Sequence, residues 1–211
     1  RNLNRTWPGR SDGTITERTC AALIELIERE DVDIFIDLHE AELEYSVIST
    51  IVAHQNSADL AAMASMTLSS ERFKMGMEYS PRTLHGLSHR EIGDFTQALA
   101  FEIEVPEPFI DRVRGITDEA LLLTGKDEFV MKAGDHGLLY EEIDEKGWPI
   151  DERVGRLNST IAMIVEMYNM MMPGKELAVE NLPLRDDVVA KGVGYYLLNP
   201  ASAPPDRVVL D

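Results

Sequence analysis

The stretch Asp31-Val32-Asp33-Ile34-Phe35-Ile36-Asp37-Leu38-His39-Glu40 constrains this chain most. Ile34, Phe35 and Ile36 make a short apolar run rich in β-branched residues, the pattern of a buried strand. The run ends in side chains that exchange hydrogen bonds: Asp37, His39 and Glu40. In open α/β sheets, ligands and metals sit just beyond the carboxyl ends of the strands. A strand holds such groups rigidly while they face a cleft. His39 is therefore the first candidate for chemistry, set against the plainer reading of a satisfied histidine at a strand end.

The rest of the chain supplies partners for that strand. Thr14-Ile15-Thr16-Glu17 is a capping-box pattern and predicts a helix to about Arg29, with Ala22, Leu23, Leu26 and Ile27 as its buried stripe. Residues 45–53 are β-branched and read as a second strand. Residues 57–70 read as a helix. Residues 75–94 carry Gly76, Pro81, Gly86 and Gly93 and read as loop, followed by a helical turn over 95–98. Residues 99–105 read as a third strand stopped by Pro106. Residues 109–133 read as helix in two pieces around Gly125, and 134–149 as a loop or hairpin. A long helix over 151–171 turns Val154, Leu157, Ile161, Ile164, Val165 and Tyr168 inward, its methionines serving as core filler. The alternation predicts an α/β fold, a mixed, mostly parallel sheet covered by helices. Prolines after Pro173 interrupt the pattern. Residues 1–172 are expected to form the catalytic domain. Residues 173–211 are expected to form an extension lying on its surface or against a second copy in a homo-oligomer.

Charge narrows the function. The chain has 38 acidic and 20 basic residues, a net charge of −18, which argues against nucleic acid or an anionic membrane as partner. No apolar run is long enough to span a bilayer. The one cysteine, Cys20, rules out a disulfide framework within the chain and a thiolate zinc cluster. A buried thiol in a reducing, cytoplasmic setting is the expectation. The chain opens Arg1-Asn2-Leu3-Asn4-Arg5 without a Met, as though inside a longer protein.

The two polar-tipped strands deliver His39, Glu102 and Glu104 to one edge of the sheet. Glu102 and Glu104 are two residues apart and share a strand face. An imidazole and a carboxylate converging on one cleft suit metal-assisted hydrolysis, in which the carboxylate takes the proton of an activated water. Zinc is the default metal for such a set. Asn4 and Arg5 add an amide and a guanidinium fit to grip a carboxylate. Each residue also has a plainer role: Arg5 paired with a surface acid, Glu102 with Arg90, His85 and His89 as loop residues. A hydrolase using Glu102 and Glu104 as flanking carboxylates is disfavoured, because i and i+2 on one strand lie too close for the roughly 5–9 Å such pairs need.

Together these residues resemble a family. Asn2 to Arg18 closely resembles the NLNR-x-x-PG-x-x-DG-x-x-TER stretch of the succinylglutamate desuccinylase/aspartoacylase family, relatives of the zinc carboxypeptidases. Ile36-Asp37-Leu38-His39 looks like that family's IDLH. Glu102-Ile103-Glu104-Val105-Pro106 looks like its IEV strand. Order and spacing agree over roughly residues 1–170. The resemblance implies a zinc-carboxypeptidase-like fold and a small-molecule N-acyl amino acid or peptide substrate. It implies that Asn4 and Arg5 bind the substrate carboxylate, that His39 is the last of three zinc ligands, and that Glu104 is the general base. Carboxypeptidase-like spacing would pick Glu102 instead. The family's H-x-x-E zinc motif is absent here and is expected upstream of Arg1. Two alternatives stand beside the deacylase: a zinc carboxypeptidase, and a metal-free protein binding small acidic or amide ligands. Tyr79, Arg82, His85, His89 and Arg90 are further candidates by position.

Overall fold

A computed structural model describes residues 2–108 and 119–197. It is an α/β fold built on a four-stranded mixed sheet flanked by helices. The strands are β1 (Ile34–Glu42), β2 (Thr50–Ala53), β3 (Gly76–Tyr79) and β4 (Leu99–Glu107), in the order β1-β4-β2-β3. β1 runs parallel to β4 and β2 parallel to β3, while β2 and β4 are antiparallel. The helices are α1 (Ile15–Arg29), α2 (Ala58–Glu71), α3 (Ser88–Phe95), α4 (Glu119–Thr124), α5 (Glu128–Asp135), α6 (Ile150–Met171) and α7 (Arg185–Lys191).

Strand alternation divides the sheet into two chemistries. Side chains at successive strand positions point to opposite faces. Phe101 and Ile103 of β4, with Ile51 and Ala53 of β2, point to the face covered by α2 and α6. Leu60, Ala64 and Leu68 meet them from α2, and Met163, Ile164 and Met167 from α6. Ala100 faces the other way, into a smaller cluster with Trp7, Cys20, Ile27 and Ile92. Glu102 and Glu104 continue that second face. The two carboxylates in an apolar strand are thus the polar end of one face, and the apolar residues between them belong to the other.

Several expectations hold locally. Thr14 Oγ1 accepts from the Glu17 amide at 3.4 Å, and Glu17 Oε2 accepts from the Thr14 amide at 2.7 Å, closing the capping box. Cys20 is buried and free. Met163 and Met167 fill core space, as unbranched thioethers do.

Others are corrected by packing. On α1 the buried stripe is Cys20 and Ile27, with Ile24 packed beside them, and Ala22, Leu23 and Leu26 are exposed. The helix carries two apolar stripes, and the one spaced 20, 24, 27 meets Trp7 and Phe35. The second strand spans only Thr50–Ala53, because Leu43 and Ile48 are drawn by turns into a separate cluster with Leu121, Val130 and Trp148. Pro106 does not stop β4, which runs on to Glu107. β2 pairs with β4 only up to Glu104, so Pro106 sits where β4 has a neighbour on one side alone. The loop expected over 75–94 contains β3 and most of α3, and of the helical turn expected over 95–98 only Phe95, the last residue of α3, is helical, with a bend over 96–98 leading into β4. Residues 134–149 open with the end of α5. On α6 the expected Ile164 and Tyr168 are buried and the half-buried Leu157 and Ile161 pack on the same core, but Val154 and Val165 are only half-buried and Arg153, Gly155, Arg156, Ser159, Thr160, Met163 and Met167 complete the buried face. Arg156 stacks between Phe73 and Trp148, 4.9 and 4.6 Å from their centroids, so its charge lies among aromatic faces. Beyond Pro173, helix α7 packs on α6, with the Arg185 amide on Ser159 Oγ at 2.9 Å. The first piece of the helix expected over 109–133 falls largely outside the described residues, as do residues 198–211 of the extension.

Phe101 is fully buried between both covering helices. Phe101→Ala should cost about 3–5 kcal/mol, read as a shift in the denaturant midpoint at constant slope.

Candidate metal and acid–base site

The β1–β4 register builds the site. Asp37 stands beside Glu102, and His39 beside Glu104. All four side chains share the face that carries Phe35 and Ala100. His39 Nε2 lies 3.1 Å from Asp37 Oδ2 and 3.6 Å from Glu102 Oε2, and its Nδ1 is 3.9 Å from Glu104 Oε1. The strand tips do share one crevice, and His39 is aimed at both glutamates.

The N-terminal segment closes one side. Asn2 caps the 3-10 turn Leu3–Arg5 by accepting from the Asn4 amide at 2.8 Å. Asn4 is buried; its Nδ2 donates to Glu102 Oε2 at 2.8 Å and lies 3.3 Å from His39 Nε2. Its Oδ1 accepts from the Ser88 amide at 2.6 Å, which fixes the amide's orientation. Arg5 is exposed beside it, and its Nη1 donates to the Asn4 carbonyl at 2.5 Å. Gly86 has φ +89°, and a Cβ there would lie 3.0 Å from the Arg5 carbonyl carbon. Only glycine allows that approach at that backbone angle.

Helix α3 closes the other side. Ser88 Oγ donates to Asp37 Oδ2 at 2.5 Å. His89 is buried with Nδ1 3.2 Å from Glu102 Oε2, off the line of a hydrogen bond, and both its ring nitrogens lack a hydrogen-bond partner. Arg90 pairs with Asp94 and His54, not with Glu102. His85 Nδ1 meets Glu91 Oε1 at 3.0 Å, and Arg82 reaches Gln55 at 2.9 Å, so neither joins the site. Tyr79 and His89 line the same cavity as Asn4, Arg5, His39, Glu102 and Glu104.

That cavity measures about 360 Å³. A larger one, about 630 Å³, lies beside Trp148 and α7. Its buried charges are already matched: Glu152 accepts from Arg156 at 2.8 Å and from Arg185 at 2.7 Å. The smaller cavity is the one lined by the sequence-predicted Asn4, Arg5, His39, Glu102 and Glu104.

The electrostatics separate the acids. The Asp37 hydrogen bond leads in raising His39 from 6.5 to about 9, against the penalty of burial and helped by the charges of Glu102, Asp37 and Glu104. Burial, then the Glu102 charge, pushes Glu104 upward. Burial alone would raise Glu102 too, but the imidazoles of His89 and His39 and the amide of Asn4 outweigh it and hold Glu102 well below the usual carboxylate range. Glu104 Oε2 is buried without a hydrogen-bond partner.

Asp37, His39 and Glu102 could hold a metal ion: one ligand atom from each lies within 4.8 Å of the others. Ligands about 2.0–2.2 Å from one ion stand no more than about 4.4 Å apart, so small side-chain adjustments would complete the set. Asp37, named at the polar strand tip but not among the candidate site residues, is the member of this group that sequence reasoning left out. Its signal was present, since it is two residues before His39 on a strand and must share its face. Compared with known proteins, the chain matches no family model, no curated protein and no solved structure.

In metal-free protein the His39 imidazole should titrate with a midpoint near 9 rather than 6.5 by NMR. A folded value above the unfolded one adds stability that is complete below pH 6.5 and is lost as pH rises through about 9. His39→Gln should remove that slope. Adding a divalent ion should drive the proton off the ring. A midpoint near 6.5 in metal-free protein would remove the carboxylate cage from the account.

Proposed function

We propose that this protein is a zinc-dependent hydrolase that cleaves an amide bond beside a free carboxylate, an N-acyl amino acid deacylase of the desuccinylase/aspartoacylase kind acting in the cytoplasm. The reading is carried by Glu104. It is a buried carboxyl with one oxygen unpartnered, a raised pKa, and an imidazole 3.9 Å away that belongs to a metal-capable cluster. A carboxyl poised in that way takes up a proton and gives it back near neutral pH.

His39, Asp37 and Glu102 would hold the ion. Zinc bound there would polarise the amide carbonyl and make the attacking water more acidic. Glu104 takes the proton as the water oxygen bonds to the acyl carbon. It returns that proton to the amide nitrogen as the C–N bond breaks. One water is consumed, and a carboxylic acid and an amine are released. Arg5, at the mouth of the cavity, offers a planar fork of donors that matches the substrate's carboxylate. Asn4 holds Glu102 in place while Ser88 holds Asn4. Glu102, held by Asn4 and reserved for the ion, is therefore not free to move a proton, which favours Glu104 as the base.

The test combines metal analysis with a panel of N-acyl amino acids. Glu104→Gln should lower kcat by about 10²–10⁴-fold while retaining zinc. Glu102→Gln should weaken zinc binding. Turnover surviving in the first variant and lost in the second, with zinc kept, moves the base to Glu102. Turnover surviving in both variants removes the mechanism. Absence of zinc, with carboxylate binding that needs Arg5, leaves the metal-free binding protein.

A further inference from the structure

The cavity over the strand tips divides its lining into two kinds. The floor is polar: His39, His89, Glu102 and Glu104. The rim is apolar and faces solvent, with Val47 38%, Leu84 48% and Tyr79 64% exposed, and Pro81 between them. Apolar side chains gathered around a concave polar floor are the usual lining of a small-ligand site, and a volume of about 360 Å³ is of ligand size.

The charges limit what enters. Among the described residues lining the cavity, Arg5 is the one guanidinium, there is no lysine, and three are carboxylates: Glu78, Glu102 and Glu104. A dication beside Asp37 and Glu102 is balanced by those two groups. One anionic group on a ligand therefore has a partner in Arg5. A second would face Glu78 or Glu104, or lie against the apolar rim, where an unpaired charge is strongly disfavoured. His89 supplies an independent pointer to a ligand. It is 1% exposed, lines this cavity, keeps Nδ1 3.2 Å from Glu102 Oε2, and has no protein partner on Nε2. A buried imidazole in that condition suits a neutral polar group such as an amide carbonyl.

We propose that the cavity selects monocarboxylates with an apolar body. The Arg5 guanidinium takes the single carboxylate, His89 meets the amide, and Val47, Tyr79 and Leu84 cover an aliphatic or aromatic chain. Resting on the deacylase reading, this makes the substrates N-acyl amino acids with an apolar acyl group or side chain, and it disfavours those carrying a second carboxylate.

Calorimetry on the full chain with zinc tests the selectivity apart from catalysis. Phenylbutyrate and glutarate share a three-carbon spacer and differ in ending on a phenyl ring or a second carboxylate. Phenylbutyrate should bind about tenfold tighter or more. Arg5→Ala should abolish that binding, and Leu84→Arg should shift preference toward glutarate. Glutarate binding equally or better overturns the proposal, as does phenylbutyrate binding that ignores Arg5→Ala. The acyl panel separates the two readings. Faster hydrolysis of N-succinyl than of N-hexanoyl amino acids keeps the deacylase and overturns the selectivity. Preference for phenylbutyrate without hydrolysis of any N-acyl amino acid keeps the selectivity and overturns the deacylase.

Discussion

The parallel pairing of β1 with β4 is the constraint on which the site depends. Its register sets Asp37 beside Glu102 and His39 beside Glu104 on one sheet face. Three carboxylates then converge on a single imidazole. Two unit charges about 4 Å apart interact by about 4 kcal/mol at the effective dielectric typical of proteins. Such a cluster stays folded only if something offsets the repulsion. His39 does so by holding its proton to about pH 9, and Glu104 by being driven toward its neutral form. A divalent cation would do both jobs at once, and Asp37, His39 and Glu102 could hold one.

The face opposite the strands is built from polar rather than apolar contacts. Helix α3 buries Ser88, His89, Arg90 and Glu91 along with Ile92. It is anchored where Gly93 lets it close on His54, since a Cβ there would lie 2.2 Å from the ring. His54 and Arg90 then share Asp94. That anchor leaves Ser88 and His89 at the other end free to face the strand tips. The Gly86–Arg5 approach ties the same segment to the N-terminal turn. Strand, turn and helix thus meet through Asn4, which touches Glu102, His39 and the Ser88 amide at once.

What could be read from the sequence follows from which signals are local. The capping box of α1, the strand at Ile34 and the alternation around Glu102 and Glu104 need only neighbouring residues, and they stand in the structure. Helix α3 was missed because a helix buried through Ser, His, Arg and Glu shows no apolar stripe. The face of α1 was misassigned because the helix carries two stripes, and only Trp7 and Phe35 decide between them. The second strand was overextended because β-branched residues at 46–49 fit a strand, yet Ile48 is pulled into the Trp148 cluster. Convergence of His39 with both glutamates could be anticipated from two polar strand tips. The clamp of Asn4 between Glu102 and Ser88 could not, because it joins residues 84 positions apart.

Satisfaction of polar groups also separates the two glutamates more sharply than motif spacing does. Both are buried to a similar degree. Glu102 has an amide donor at 2.8 Å and imidazoles at 3.2 and 3.6 Å, so its charge is stabilised before any ligand arrives. Glu104 keeps a bare buried oxygen, and burying an acceptor without a partner costs on the order of 1–3 kcal/mol. Folding energy spent to hold a carboxyl unsatisfied is recovered only when something binds to it. A water that brings a proton to that oxygen is such a partner, and the proposed role of Glu104 as general base draws on that open acceptor.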